Sequence, residues 1–96
     1  MSLQRADFGT KTRITTATTT PLKAGPGFIK RIIFGVPVST GTVAVYDDPT
    51  TTNNQFALIT STADLKPFFI DFDCQFTNGL TIVTGVAAQD ITVVWG

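Results

Sequence analysis

Apolar and polar residues alternate with a period of two along much of this chain. The pattern is clearest over Phe68–Phe76, where Phe68, Ile70, Phe72, Cys74 and Phe76 fall on one side. Phe69, Asp71, Asp73 and Gln75 fall on the other, as in a strand with one buried face. At the end of the chain Ile91, Val93 and Trp95 share a side, opposite Thr92 and Val94. Within Thr42–Tyr46, Val43 and Val45 oppose Thr42, Ala44 and Tyr46. Phe28–Phe34 is apolar on both sides, with Phe28, Ile32 and Phe34 against Ile29 and Ile33, which predicts a strand covered on both faces at its far end. Phe56–Thr60 and Leu80–Thr84 complete six short segments rich in Val, Ile, Thr and Phe, each bounded by Gly, Pro, Asn, Asp or Ser. Helical periodicity is absent, apart from room for a single turn at Ser61–Lys66, capped by Ser61 or Thr62 and ended by Pro67. The predicted fold is all-β: one small antiparallel β-sandwich or jelly-roll-like barrel of about 6–8 short strands.

The segment Phe76-Thr77-Asn78-Gly79-Leu80 predicts a hairpin. A two-residue Asn78-Gly79 loop sets Phe76 opposite Thr81, pairing an inward residue with an outward one. A three-residue Thr77-Asn78-Gly79 loop instead pairs Phe76 with Leu80 and Cys74 with Ile82, all four inward. That register requires Gly79 in a left-handed conformation, where a Val is badly strained.

Residues 1–21 differ in texture. Arg5, Lys11 and Arg13 face only Asp7, the run from Thr15 to Thr20 is almost all Thr, and Leu3, Phe8 and Ile14 are the few large apolar side chains after Met1. Too little surface is available to order such a segment alone. It is predicted to be an extended N-terminal arm, with at most one strand around Thr12–Thr19, poised to pair with something else. Pro21 and Ala24-Gly25-Pro26-Gly27 punctuate the chain, and residues 22–96 form the predicted β-sandwich domain. Deleting residues 1–20 is accordingly expected to leave the domain folded while weakening its hold on a partner.

Composition narrows the function. The 96 residues carry seven Lys+Arg against seven Asp+Glu, for a formal net charge of zero, and charged residues make up only 15%. Neutrality leaves no electrostatic footprint for nucleic acid, and a charge-poor surface favours association. There is no His and no Glu, but there are eighteen Thr. The commonest general base and metal ligand is therefore missing, and no cofactor or metal is expected. A single Cys cannot form an internal disulfide. No apolar run approaches the roughly 18 residues of a membrane span, and residues 1–10 lack the apolar stretch of a secretory signal.

The remaining reactive groups have plain explanations. Asp71 and Asp73 share an outward strand face, but no loop supplies the other oxygens a cation needs. Asp47-Asp48-Pro49 is turn chemistry. Cys74 lies among inward Phe residues and has no His to activate it. The expectation is a non-enzymatic protein. Phe69, by contrast, is a large ring on the polar face of its strand, and Tyr46 and Val94 are also outward. Such rings anchor subunit contacts. With the arm's Arg5, Phe8, Lys11 and Arg13, the candidate partner contacts are Arg5, Phe8, Lys11, Arg13, Tyr46 and Phe69.

The stretches Thr42-Val43-Ala44-Val45-Tyr46-Asp47, Ala63-Asp64-Leu65-Lys66-Pro67-Phe68, Gln75-Phe76-Thr77-Asn78-Gly79-Leu80-Thr81-Ile82-Val83-Thr84 and Asp90-Ile91-Thr92-Val93-Val94-Trp95 resemble small structural proteins of tailed-bacteriophage virions. The resemblance spans about Phe28–Gly96 and is one of β-sandwich texture, with no catalytic motif to carry over. It implies a capsid decoration, or cement, protein, made in the host cytoplasm and placed on the virion's capsid surface. Its partner would be the major capsid protein or another virion protein, and it would form a homo-oligomer, with a trimer expected. A tail, fibre or head-fibre component is the alternative within that group. A carbohydrate-binding or host-adhesion β-sandwich is the alternative outside it, and would need exposed flat rings from Trp95 or Tyr46.

Overall fold

The computed structural model describes residues 9–38, 41–50, 53–60 and 66–96. They form eight strands: β1 (Thr10–Ile14), β2 (Thr19–Ala24), β3 (Gly27–Val36), β4 (Thr42–Tyr46), β5 (Gln55–Thr60), β6 (Phe68–Phe76), β7 (Gly79–Gly85) and β8 (Asp90–Trp95). They make two antiparallel sheets, one in the order β1-β8-β3-β6 and the other in the order β2-β7-β4-β5. β1 pairs with β8, β2 with β7, β3 with β6 and β4 with β5. The chain is thus one long antiparallel ribbon folded at β4–β5. Curling that ribbon adds the β3·β8 and β4·β7 pairings, which gives the eight-stranded jelly-roll order. The all-β sandwich predicted from the alternation is the fold observed, and all six predicted segments are strands.

The inward positions of both sheets meet in one core. Ile14, Ile29, Ile32, Phe34, Val43, Val45, Phe76, Leu80, Ile82, Ile91 and Val93 are buried there. Phe68, Ile70, Phe72, Cys74 and Trp95 pack against them, on the side the alternation assigns. The two-sided apolar pattern of β3 has a different cause from the one expected. Ile29 pairs with Trp95 and Arg31 with Val94, so Lys30 is an extra residue, a β-bulge against β8. The bulge resets the phase: Ile29, Ile32 and Phe34 point in, and Ile33 is left outside at 38% exposure. The far end of β3 is therefore covered on one face only.

Residues 10–21 are not an arm. β1 supplies an edge of the first sheet, and β2 runs straight through the expected boundary at residues 21–22 to supply an edge of the second. One inward side chain per strand, Ile14 and Leu22, ties each to the core, and backbone pairing does the rest. Pro21 sits within β2 at a sheet edge, where a missing N–H costs nothing, and the pairing register shifts just after it, between Pro21 and Lys23. The Thr-rich connection is held by buried Thr84. Its Oγ1 accepts from Thr18 N–H (3.0 Å) and donates to the Thr16 carbonyl (2.6 Å). Residues 1–8, with Arg5 and Phe8, lie outside the described residues, as does the turn expected at Ser61–Lys66 apart from Lys66.

The predicted hairpin at Thr77-Asn78-Gly79 is also overturned. β6 and β7 belong to different sheets, so Phe76 pairs with Gly27 and Leu80 with Lys23. Phe76, Leu80 and Ile82 are inward as expected, and Cys74 packs against them, but they meet across the sandwich rather than across a ladder. Gly79 is not left-handed; the described glycines with positive φ are Gly9 and Gly25. A glycine is needed at position 79 because backbone crowds it. A Cβ there would stand 2.5 Å from Pro49 Cα and 2.6 Å from the Lys23 carbonyl oxygen.

Candidate partner-binding surface

Cross-strand partners share a face, so the register maps the outside of the first sheet. One row across it reads Arg13, Thr92, Ile33, Phe69, and the next reads Lys11, Val94, Arg31, Asp71. Phe69 is 55% exposed beside Ile33. The Arg31 guanidinium carbon lies 4.7 Å from the centroid of the Phe69 ring, a cation–π contact. Its Nε is 2.8 Å from Asp71 Oδ1, an ion pair by distance whose N–H is not aligned as a hydrogen bond. Arg13 grips Asp90 with two bonds of 2.8 and 2.6 Å, and Lys30 approaches Asp73 at 3.6 Å. Exposed pairs of this kind orient side chains more than they stabilise the fold. The result is an apolar pair, Ile33 and Phe69, set in a frame of neutralised charge.

Three of the six expected contacts, Lys11, Arg13 and Phe69, thus share this face. Tyr46 lies on the other sheet, half-buried between Gln55 and Thr81 in the register. Ile33 and Arg31 were missed; the signal was present in the two-sided pattern of β3, which read as double coverage instead of a bulge. A second apolar area follows β5, with Phe56 40% and Leu58 58% exposed. The Phe56 ring also meets Phe72 edge-on at 6.5 Å, linking the β5 and β6 edges of the two sheets. Among the four edge strands, β1 carries Lys11 and Arg13, β2 carries Pro21 and Lys23, and β6 carries Asp71 and Asp73. β5 has neither a charge nor a proline to discourage pairing.

The densest polar cluster is structural. The Asp47 carboxylate accepts the backbone N–H groups of Thr77 (3.1 Å), Asn78 (2.8 Å) and Gly79 (3.3 Å), and the Thr77 hydroxyl at 3.3 Å. Three successive amides converging on one anion make a nest, filled here by the protein's own side chain. Asp48 extends the clasp, its carbonyl accepting the Thr81 hydroxyl at 2.7 Å. Burial pushes the Asp47 carboxyl up, but the bonds from Asn78, Thr77 and Gly79 outweigh it, and the group lies below the ordinary 3.8. A depressed folded-state value means that the stabilisation is complete above the unfolded value and fades as pH falls through the folded one. Asp47→Asn is therefore expected to cost about 1–2 kcal/mol at neutral pH and progressively less below about pH 3.8. Urea unfolding at neutral and acid pH checks this. Equal losses at both would remove the carboxylate's charge from the account. Asp90 is lowered too, chiefly by its hydrogen bond from Arg13, so the variant keeps some acid sensitivity.

Other sites offer less chemistry. Burial, then the negative charge of Asp73, pushes the Cys74 thiol up, away from the reactive thiolate. A shallow depression of about 350 Å³ is lined by Pro26, Gly27, Phe28, Gln75, Phe76 and Thr77, without an ionisable side chain. Trp95 faces the core and donates from Nε1 to Thr12 Oγ1 at 3.1 Å. No protein-family model, curated protein or solved structure matches the chain.

Proposed function

We propose that this protein is a non-enzymatic structural component of a tailed-phage virion, a decoration protein that seats on the major capsid protein and reinforces the shell. The observation that carries this reading is the outer face of the first sheet. There Phe69 and Ile33 stand exposed on paired strands, and Arg31 is already stacked on the Phe69 ring. A rigid sheet presents these side chains with little ordering cost on docking. Repetition over a lattice turns many small contacts into firm attachment. The partner class rests on the sequence's resemblance to small virion proteins. Trp95 packs against the core and Tyr46 is half-buried, which favours this reading over the sugar-binding alternative. The β5 edge strand, which carries neither a charge nor a proline, supports self-association, with a trimer expected, which light scattering on the purified protein would measure.

Cryo-electron microscopy of the assembled particle tests the reading. Density for the jelly roll at regular positions on the capsid is expected, and it should disappear when Phe69→Ser and Ile33→Ser are combined. Density on the tail or fibres alone would move the protein to that part of the virion. A bare particle of the wild type would overturn the proposal.

A further inference from the structure

The crossover between β6 and β7 contains Asn78 followed by Gly79, the pair of residues most prone to spontaneous cyclisation because Gly has no side chain to obstruct it. In that reaction the Gly79 nitrogen loses its proton and attacks Asn78 Cγ. A five-membered succinimide closes and ammonia leaves. Water then opens the ring at either carbonyl, leaving aspartate or isoaspartate at position 78. One water is consumed, one ammonia is released, and nothing is oxidised or reduced. Asn78 is exposed, so water has access.

The fold grips the reacting atoms. The peptide between Asn78 and Gly79 is pinned at both ends: the Asn78 carbonyl accepts Gly25 N–H at 2.9 Å, and Gly79 N–H donates to Asp47 Oδ1 at 3.3 Å. Asn78 N–H is held by the same oxygen at 2.8 Å. Pro49 closes over Gly79, where even a Cβ would lie 2.5 Å from its Cα. To reach Cγ, the nitrogen must leave the carboxylate and turn within a crowded site, so forming the attack geometry costs the bonds that hold it. The adjacent negative charge also opposes formation of the amide anion.

We infer that Asn78 is a deamidation site held closed by the Asp47 clasp, a chemical ageing point that opens when the β6–β7 crossover loosens. The product then holds the crossover open, because it places a second carboxylate beside Asp47, and the isoaspartate form adds a carbon to the main chain where space is shortest.

Peptide mapping with isoaspartate detection tests this on the full chain aged in warm neutral buffer. The native protein should deamidate at position 78 at least about tenfold more slowly than a synthetic peptide of residues 74–82. Asp47→Asn, with folding verified by the near-ultraviolet signal of Trp95, should age about tenfold faster than wild type, the ratio one lost hydrogen bond supports. Thr77→Val removes only the hydroxyl bond to the clasp and should give a smaller acceleration, which keeps the test alive if Asp47→Asn does not fold. Native protein ageing as fast as the peptide would overturn the inference. So would a folded Asp47→Asn, or Thr77→Val in its place, ageing at the wild-type rate.

Discussion

Removing residues 1–18 is expected to unfold the protein. The deletion takes away all of β1, which covers the edge of β8, and with it Ile14, a core residue only 5% exposed. Loss of a buried Ile side chain alone costs about 2–5 kcal/mol. The deletion also removes the Arg13 grip on Asp90 and leaves the buried Thr84 hydroxyl without Thr16 and Thr18. A domain of this length has only about 5–14 kcal/mol in total. Deleting residues 1–8 spares all eight strands and is expected to leave a cooperative transition close to wild type. Circular dichroism melts of the two truncations decide the matter. If the longer truncation melts cooperatively near the wild-type temperature, residues 1–18 are an arm after all, and the pairing of β1 with β8 contributes little.

Phe34→Ala should be the most damaging single change in the core. Phe34 is fully buried on β3 and stacks on Phe68, with centroids 4.4 Å apart and ring planes 7° from parallel. Its register partners on the two neighbouring strands are Phe68 and Ile91. Truncation leaves a ring-sized void flanked by both strands, a loss of about 3–5 kcal/mol. At roughly 4–8 °C per kcal/mol for a domain of this size, the melting temperature falls by about 12–40 °C. Phe69→Ala gives the contrast, since that ring lies outside and its loss should stay within about 1 kcal/mol. Urea denaturation should show a large midpoint shift for Phe34→Ala at an unchanged slope. A loss below about 1 kcal/mol would mean that the site collapses around the smaller side chain.

The alternation along β6 was readable because nine successive residues keep one face to the core and one to solvent, and each misplaced residue would bury a charge or expose a ring. The same logic made Ile91, Val93 and Val45 readable as inward positions. β1 and β2 escaped because edge strands with a single inward anchor each carry almost no apolar signal, and because Pro21 looks like a break when only its partners show that its N–H is not needed. Phe69 stood out as a ring on a polar face. Its neighbour Ile33 did not, because the bulge at Lys30 shifts the phase of β3 by one residue.

Period-two hydrophobicity is a local property, set by which side of each strand loses its water. It was enough to establish an all-β sandwich and most of its core positions. Which strand lies beside which is settled by contacts between residues far apart in the chain. In this ribbon every connection except β4–β5 passes from one sheet to the other. Asn78-Gly79 reads locally as a hairpin turn, yet in the folded protein it spans the core and lies in the grip of Asp47, thirty-one positions before Asn78. The outer-face cluster of Phe69, Ile33 and Arg31 likewise exists only once β3 and β6 are paired, because antiparallel register, not sequence distance, decides which exposed side chains become neighbours.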